Sequence, residues 1–151
     1  MQEPYTLRKA TLADAALLFG WANEPLVREM SVNSAEIKWE EHLLWLAKKT
    51  NSLNSLLYIL EKDGMPVGQI RYDLVENEWT IDYSIDKEFR NKGIGRILLS
   101  LSLPLLKDKK VTALVKKENL PSQTIFINLG FKMEDVKKIN GQDYFMYTIQ
   151  L

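Results

Sequence analysis

The segment that most limits what this chain can fold into runs from Trp79 to Leu106. Trp79, Ile81, Tyr83 and Ile85 alternate with Thr80, Asp82 and Ser84, so residues 79–86 read as a strand with one apolar face. Arg90-Asn91-Lys92-Gly93-Ile94-Gly95-Arg96 follows, and then an apolar run from Ile97 to Leu106 that reads as a helix, with Pro104 late in it as a source of a kink. Two glycines let the backbone approach a ligand with no Cβ in the way. The amides of Gly93, Ile94, Gly95 and Arg96 would be the free donors of a helix N-terminus, which carries about half a positive charge and suits phosphate. Arg90, Lys92 and Arg96 add side-chain charge at the same place. A glycine-rich turn before a solvated helix would look the same. Two other phosphate sites do not fit: Gly-x-x-x-x-Gly-Lys-Ser/Thr is absent, and the motif does not open an N-terminal βαβ unit.

What precedes the motif reads as an antiparallel meander. Leu56 to Glu61, Met65 to Val75 and Trp79 to Asp86 are strands, joined by turns at Lys62-Asp63-Gly64 and Glu76-Asn77. Upstream, Tyr5 to Ala10 reads as a first strand, and Thr11 and Asp14 stand three apart as a capping box before a helix through Ala15, Leu18, Phe19 and Ala22. Glu24-Pro25 is expected to end that helix, Leu26 to Asn33 to form a loop or short turn, and Ser34 to cap a second helix carrying Ile37, Leu43, Leu44, Leu46 and Ala47. Downstream come a strand from Val111 to Val115, a helix from Leu120 to Leu129 that Gly130 stops, and a hairpin turning at Asn140-Gly141. The order is that of one α/β domain over residues 1–151.

Composition narrows the function classes. With 46% apolar residues among 151, the chain can bury a real core. Twenty Lys and Arg balance twenty Asp and Glu, which argues against a general nucleic-acid partner. There is no cysteine, hence no thiolate nucleophile or thiolate metal site, and the single histidine, His42, precludes a two-histidine metal site; no metal is expected. The opening Met1-Gln-Glu-Pro-Tyr5 has neither a basic n-region nor an apolar h-region, and no run approaches the roughly 20 apolar residues of a membrane span. The expectation is a cytoplasmic protein with no membrane partner.

Arg90-x-x-Gly93-x-Gly95 between strand and helix resembles the acetyl-CoA signature of the GNAT N-acetyltransferases. A second signature of that family is Asn, a small residue three later, often Tyr seven later, and then Gly-Phe; this chain has Asn119, Ser122, Phe126 and Gly130-Phe131 at those spacings. The resemblance covers nearly the whole chain. It implies a mixed, mostly antiparallel seven-stranded sheet splayed between its fourth and fifth strands, with about four helices and acetyl-CoA in the cleft. Gly93 to Arg96 would hold the pyrophosphate, with Arg90, Asn91 and Lys92 among the residues that bind the cofactor. The backbone of Ser84, Ile85 and Asp86 would pair with the pantetheine arm like an added strand. Asn119 and Ser122 would lie beside it, with Phe126 further along the same helix. A homodimer is the assembly many relatives adopt.

The implied reaction is direct attack of a primary amine on the thioester in a ternary complex. Glu78 or Asp82 would take the amine proton. Phe126 stands where many relatives carry the tyrosine that protonates the thiolate, and a phenyl ring has no proton to give. Tyr83 or Tyr144, or a water, would have to serve.

The front half resembles acetyltransferases of nucleotide-linked amino sugars in pseudaminic acid and related nonulosonate pathways, through Trp21-x-Asn23-x-Pro25-x-Val27-Arg28 and the later His42 and Trp45. Asn23, Arg28, His42 and Trp45 would then face a small-molecule acceptor, although each can equally be structural. Ribosomal-protein N-terminal acetyltransferases share parts of this pattern. Acetylation of a protein N-terminus or lysine is the alternative activity, and a non-catalytic acyl-CoA-binding module the alternative without chemistry.

Overall fold

The computed structural model describes residues 4–106 and 108–151. Seven strands form one sheet: β1 (Tyr5–Lys9), β2 (Ser55–Lys62), β3 (Met65–Val75), β4 (Glu78–Ile85), β5 (Lys110–Lys116), β6 (Lys132–Ile139) and β7 (Gln142–Gln150). Their order across the sheet is β1-β2-β3-β4-β5-β7-β6, and every neighbouring pair is antiparallel except β4 and β5. The turns form where the sequence places them. Asp63 and Gly64, Glu76 and Asn77, and Asn140 and Gly141 all take the left-handed backbone that tight hairpins need.

The described residues form five α-helices rather than about four: α1 (Ala15–Ala22), α2 (Pro25–Met30), α3 (Trp39–Thr50), α4 (Ile94–Ser102) and α5 (Leu120–Asn128). The extra one, α2, occupies the stretch expected to be a loop. Pro25 starts it instead of breaking the chain, because its fixed φ suits the first helical turn. The Glu24 carboxylate caps it by accepting from the Val27 amide at 3.3 Å. Ser34, in turn, caps nothing. The helix behind it begins only at Trp39, since residues 33–37 are held in a non-helical loop by two upstream side chains. Asn23 brackets Ile37, donating to its carbonyl and accepting from its amide, both at 2.8 Å. Arg28 donates to the carbonyls of Asn33 at 3.0 Å and Ala35 at 3.3 Å. Helix α4 starts at Ile94, earlier than the apolar run suggests, and ends at Ser102; Pro104 lies in a short 3-10 turn instead of kinking the helix.

The sheet is covered on both faces. On one, Ile70, Tyr72, Val111 and Ala113 pack against Leu98, Leu99 and Phe126 of α4 and α5, all nearly water-free. Ser102, fully buried, is satisfied by the Tyr72 hydroxyl at 2.6 Å. On the other face, α1 and α3 lay Leu18, Trp21 and Leu46 over Leu57 and Ile59. Each such buried side chain contributes about 1.5–3 kcal/mol relative to exposure. The expected capping box at Thr11 and Asp14 is formed, and Asp14 is also gripped by Arg8 at 2.8 and 2.9 Å.

One seam in this sheet is short. Strands β4 and β5 pair only at Glu78–Lys110, Trp79–Val111 and Thr80–Thr112. Beyond Thr80 the two strands part, as expected of a splayed sheet. Residues 81–85 keep β3 on one side and leave their other edge open.

Candidate active site

The alternation of β4 decides which backbone groups line the open edge. The Asp86 amide donates to the Val67 carbonyl of β3 at 2.9 Å. In an antiparallel ladder every second residue points the same way, so Ser84 and Asp82 also direct their amides to β3. Tyr83 and Ile85 therefore present theirs to the gap. Of the three residues expected to pair with a pantetheine arm, Ile85 alone directs its amide to the open edge, and Tyr83 does so beside it. Opposite Ile85 stands Gly68, where a Cβ would come within 2.9 Å of both the Ser84 carbonyl and Ile85 Cδ1.

The open edge leads to the N-terminus of α4. Gly93 is left-handed at φ 76°, and the first intrahelical bond is Ile97 N–H to Gly93 O at 3.3 Å. The amides of Ile94, Gly95 and Arg96 thus have no helical acceptor. Gly95 is buried, and a Cβ there would meet Ile125 Cδ1 at 3.0 Å and Tyr83 Cε2 at 3.3 Å. These donors and this clearance fit the diphosphate of a coenzyme A, with Arg96 and Lys92 exposed nearby and Lys92 Nζ 5.5 Å above the Phe89 ring. Asn91, also exposed, takes a left-handed turn at φ 63°. Arg90 is committed elsewhere. It donates to the Ile85 carbonyl at 3.1 Å and to the Glu24 carboxylate at 2.8 Å, so the motif's first residue fastens the loop instead of reaching outward.

Successive residues of β4 serve opposite faces. Tyr83 points to the helical side and shares a 2.7 Å hydrogen bond with Ser122 Oγ of α5. Burial pushes its phenol above the ordinary range, and the Ser122 contact offsets part of that rise. Asn119 caps α5, its side chain accepting weakly from the Ser122 amide at 3.4 Å. Phe126 lies in the core at 2% exposure, its ring 5.0 Å from Phe131 and 6.0 Å from Tyr83. It packs in the core between Phe131, Tyr147 and Tyr83.

Asp82 points the other way. It takes Arg71 Nη1 at 3.7 Å and Gln69 Nε2 at 3.4 Å, and its side chain is half exposed. Gln69 also donates to Ser84 Oγ at 3.1 Å, and the Arg71 guanidinium stacks on Trp45 at 5.0 Å. Glu78 shares this face but sits in the paired section of β4, 3.6 Å from Lys110. It is about 13 Å up the strand from Asp82. At the last rung, Thr112 Oγ1 is buried with no hydrogen-bond partner among the described residues.

The expected acceptor residues divide. Trp45 borders the Arg71–Asp82 pair. Asn23 spends its amide on Ile37. Arg28 is used as a clasp, bonding the Ala22 carbonyl at 2.6 Å and Ser31 Oγ at 3.2 Å besides the two carbonyls above. Burial lowers its pKa, and the charge of Asp82 opposes this. His42 is 3% exposed, bonded through Nε2 to the Ala15 carbonyl at 2.9 Å and stacked on Trp45. It is a core histidine, with no face toward the gap. Sequence reasoning missed Gln69, Arg71, Glu24 and the Trp21–Asp86 bond of 2.8 Å. Only the pairing register reveals the first two, and no local pattern marks the others.

A sheet parted beside a glycine-led helix N-terminus defines an acyl-CoA-dependent transferase. Residues 5–132 match the family described as Acetyltransferase (GNAT) domain, and the chain belongs to that family of acetyl-CoA-dependent N-acetyltransferases. The uncharacterized protein MJ1062 of Methanocaldococcus jannaschii is 31% identical over 156 residues, covering 96% of this chain; the chain spans only 31% of that protein's length. Spermidine N-acetyltransferase from Vibrio cholerae, in complex with CoA and spermine, superposes with a TM-score of 0.87 at 18% identity, over 97% of this chain and 95% of that one. The ribosomal-protein-S5-alanine acetyltransferase of Vibrio fischeri gives 0.79 at 18%, over 99% and 94%. Among the described residues no helix is long and apolar enough to cross a membrane, and no group of His, Asp and Glu could hold a metal ion.

Proposed function

We propose that this chain transfers an acetyl group from acetyl-CoA to the primary amine of a nucleotide-linked amino sugar, by direct attack in a ternary complex. The observation that carries the chemistry is the pair Asp82 and Tyr83. Adjacent in sequence, they stand on opposite faces of a strand whose edge is open between them. Bound acetyl-CoA supplies an activated thioester. The amides of Ile94, Gly95 and Arg96 would hold its diphosphate, and the open-edge amides of Tyr83 and Ile85 would align the arm and polarise the carbonyl, a type of donor whose loss costs about 100- to 1,000-fold. Asp82 accepts the proton that the attacking nitrogen sheds as the N–C bond forms. Tyr83, kept protonated by burial, would give its proton to the leaving sulfur and recover one from solvent, with Ser122 holding the phenol in place at 2.7 Å. Glu78, held by Lys110 away from the gap, has no part.

For the acceptor, support comes from the face around Asp82. Arg71, Gln69 and Ser84 offer polar groups that suit hydroxyls, with Arg71 laid over Trp45. The test is CoA-thiol release against amino-sugar nucleotides, polyamines and N-terminal peptides. Turnover confined to the sugar nucleotides is expected. Turnover on peptides alone would overturn the acceptor assignment in favour of protein acetylation. Acetyl-CoA binding without turnover on any amine would overturn the enzymatic reading.

A further inference from the structure

Arg71 stands between two carboxylates on one face of the sheet, and it holds them unequally. Its Nε donates to Asp73 at 2.8 Å, whereas its Nη1 lies 3.7 Å from Asp82 Oδ2. Asp73 also accepts from Lys49 Nζ at 2.8 Å and Ser55 Oγ at 2.7 Å, and its side chain is 19% exposed. Asp82 is the cross-strand partner of Arg71 and its side chain is 53% exposed. Among the described residues its carboxylate accepts only the long 3.4 Å contact from Gln69. A carboxylate bonded as Asp73 is has little capacity left for a proton. One steered by an ion pair at the distance seen for Asp82 is oriented and still has lone pairs to spare.

The guanidinium is itself fixed from helix α3. Trp45 and Lys49, one turn apart, share a face of that helix. The Trp45 ring centroid lies 5.0 Å from Arg71 Cζ, and Lys49 secures Asp73 on the other side. His42, one turn earlier, stacks behind Trp45 at 5.8 Å and is tied to the Ala15 carbonyl at 2.9 Å. An arginine suits this place, since its planar fork can lie on a ring and present N–H groups to two carboxylates at once. Arg28, the other guanidinium that interacts with the Asp82 charge, spends its donors on the carbonyls of Ala22, Asn33 and Ala35 and on Ser31 Oγ. A chain of contacts thus runs from a buried histidine through Trp45 and Arg71 to an exposed carboxylate.

We infer that Arg71, clamped by Trp45 and Asp73, is a positioning residue that acts through Asp82, fixing the direction from which that carboxylate meets the attacking nitrogen. This rests on the reading of Asp82 as the group that takes the amine proton. It gives His42 and Trp45 a place in the site as supports of Arg71.

The test is a double-mutant cycle on the whole protein: wild type, Arg71→Gln, Asp82→Asn and the double variant. The assay is CoA-thiol release with whichever amino-sugar nucleotide, polyamine or peptide turns over fastest. Arg71→Gln should lower kcat about tenfold in the wild-type background and less than about twofold in Asp82→Asn, with the KM for acetyl-CoA unchanged in both. A loss of equal factor in the two backgrounds would show a merely structural role and overturn the inference. So would a rise in acceptor KM with no coupling to Asp82, which would make Arg71 a binding contact only. A rate lost in Asp82→Asn but untouched by Arg71→Gln would keep Asp82 as the proton acceptor and sink this inference alone. Wild-type kcat in Asp82→Asn, or no turnover by wild type on any amine, would bring down both. If Arg71→Gln fails to fold, Arg71→Lys takes its place in the cycle, with the same dependence on Asp82 expected, because lysine keeps a charge but not the fork that stacks and bridges.

Discussion

The hydroxyl of Tyr83 and Oγ of Ser122 sit 2.7 Å apart, joining the strand whose edge is open to the helix that carries the family's second motif. Phe126, one turn along that helix, has no proton to offer, so the phenol that reaches the helix is supplied by the sheet. Tyr83→Phe should lower kcat about 100-fold with little change in the KM for acetyl-CoA. Ser122→Ala should lower it less. Pre-steady-state thiol release checks both. Because burial raises the Tyr83 pKa, the wild-type rate should show no alkaline fall from this group through neutral pH.

Phe126→Tyr should not restore a faster enzyme. The ring lies at 2% exposure against Phe131 and Tyr147, so a new hydroxyl would be buried without a partner. A stability loss of about 1–3 kcal/mol is expected, read by urea denaturation, with kcat unchanged or lower.

Glu24→Gln removes the carboxylate that Arg90 and the α2 N-terminus share. The side chains are about one-fifth and one-quarter exposed, so the pair itself is partly screened. The expected signature is kinetic: a higher acceptor KM, because α2 positions the Ser31–Ala35 loop through Arg28, with kcat near wild type. An unchanged acceptor KM would show that the tie is merely structural.

His42→Ala should cost stability, about 2–4 kcal/mol, from a lost buried hydrogen bond and an emptied space between Phe19 and Trp45. The remaining activity, measured well below the melting temperature, should keep the wild-type pH profile.

Acid stability should depend on Asp14 and Asp73. Arg8 bonding holds Asp14 below the ordinary carboxylate range. Burial pushes Asp73 up, but Lys49, Ser55 and Arg71 together outweigh it and bring it low. With folded pKa values below the unfolded value of about 3.9, both contributions are complete above that pH and are lost as pH falls through the folded values. Asp73→Asn should flatten the decline of stability between about pH 5 and pH 2, measured by denaturant titration.

Much of the fold was legible because its signals are local. The Asn140-Gly141 turn, the period-two strands and the glycines at 93 and 95 each act over a few residues. Helix α2 was not, since Pro25 is equally a helix stop and a helix start, and only the Glu24 cap decides. Ser34 looked like a cap because the clasp of Arg28 and Asn23 on residues 33–37 is tertiary. The site was legible on its cofactor side, where one motif carries several donors, and much less so on its acceptor side. Asp82 gains meaning from Gln69 and Arg71 across a strand pair; such neighbours are set by register, which no short motif records. Arg28, Asn23 and His42 were plausible ligands by chemistry, and the structure spends all three on its own main chain.

The three-rung seam between β4 and β5 also sets how the molecule comes apart. Strands β1 to β4 form one nearly self-contained meander, and β5 to β7 another, with few amide bonds crossing from one to the other. Cooperative units in proteins follow such divisions. The two halves can breathe against each other at the open end while each keeps its own ladder, and anything that bonds the bare amides of Tyr83 and Ile85 acts as a stitch between them. The affinity for that ligand is thereby drawn from the same free energy that holds the two halves of the sheet together.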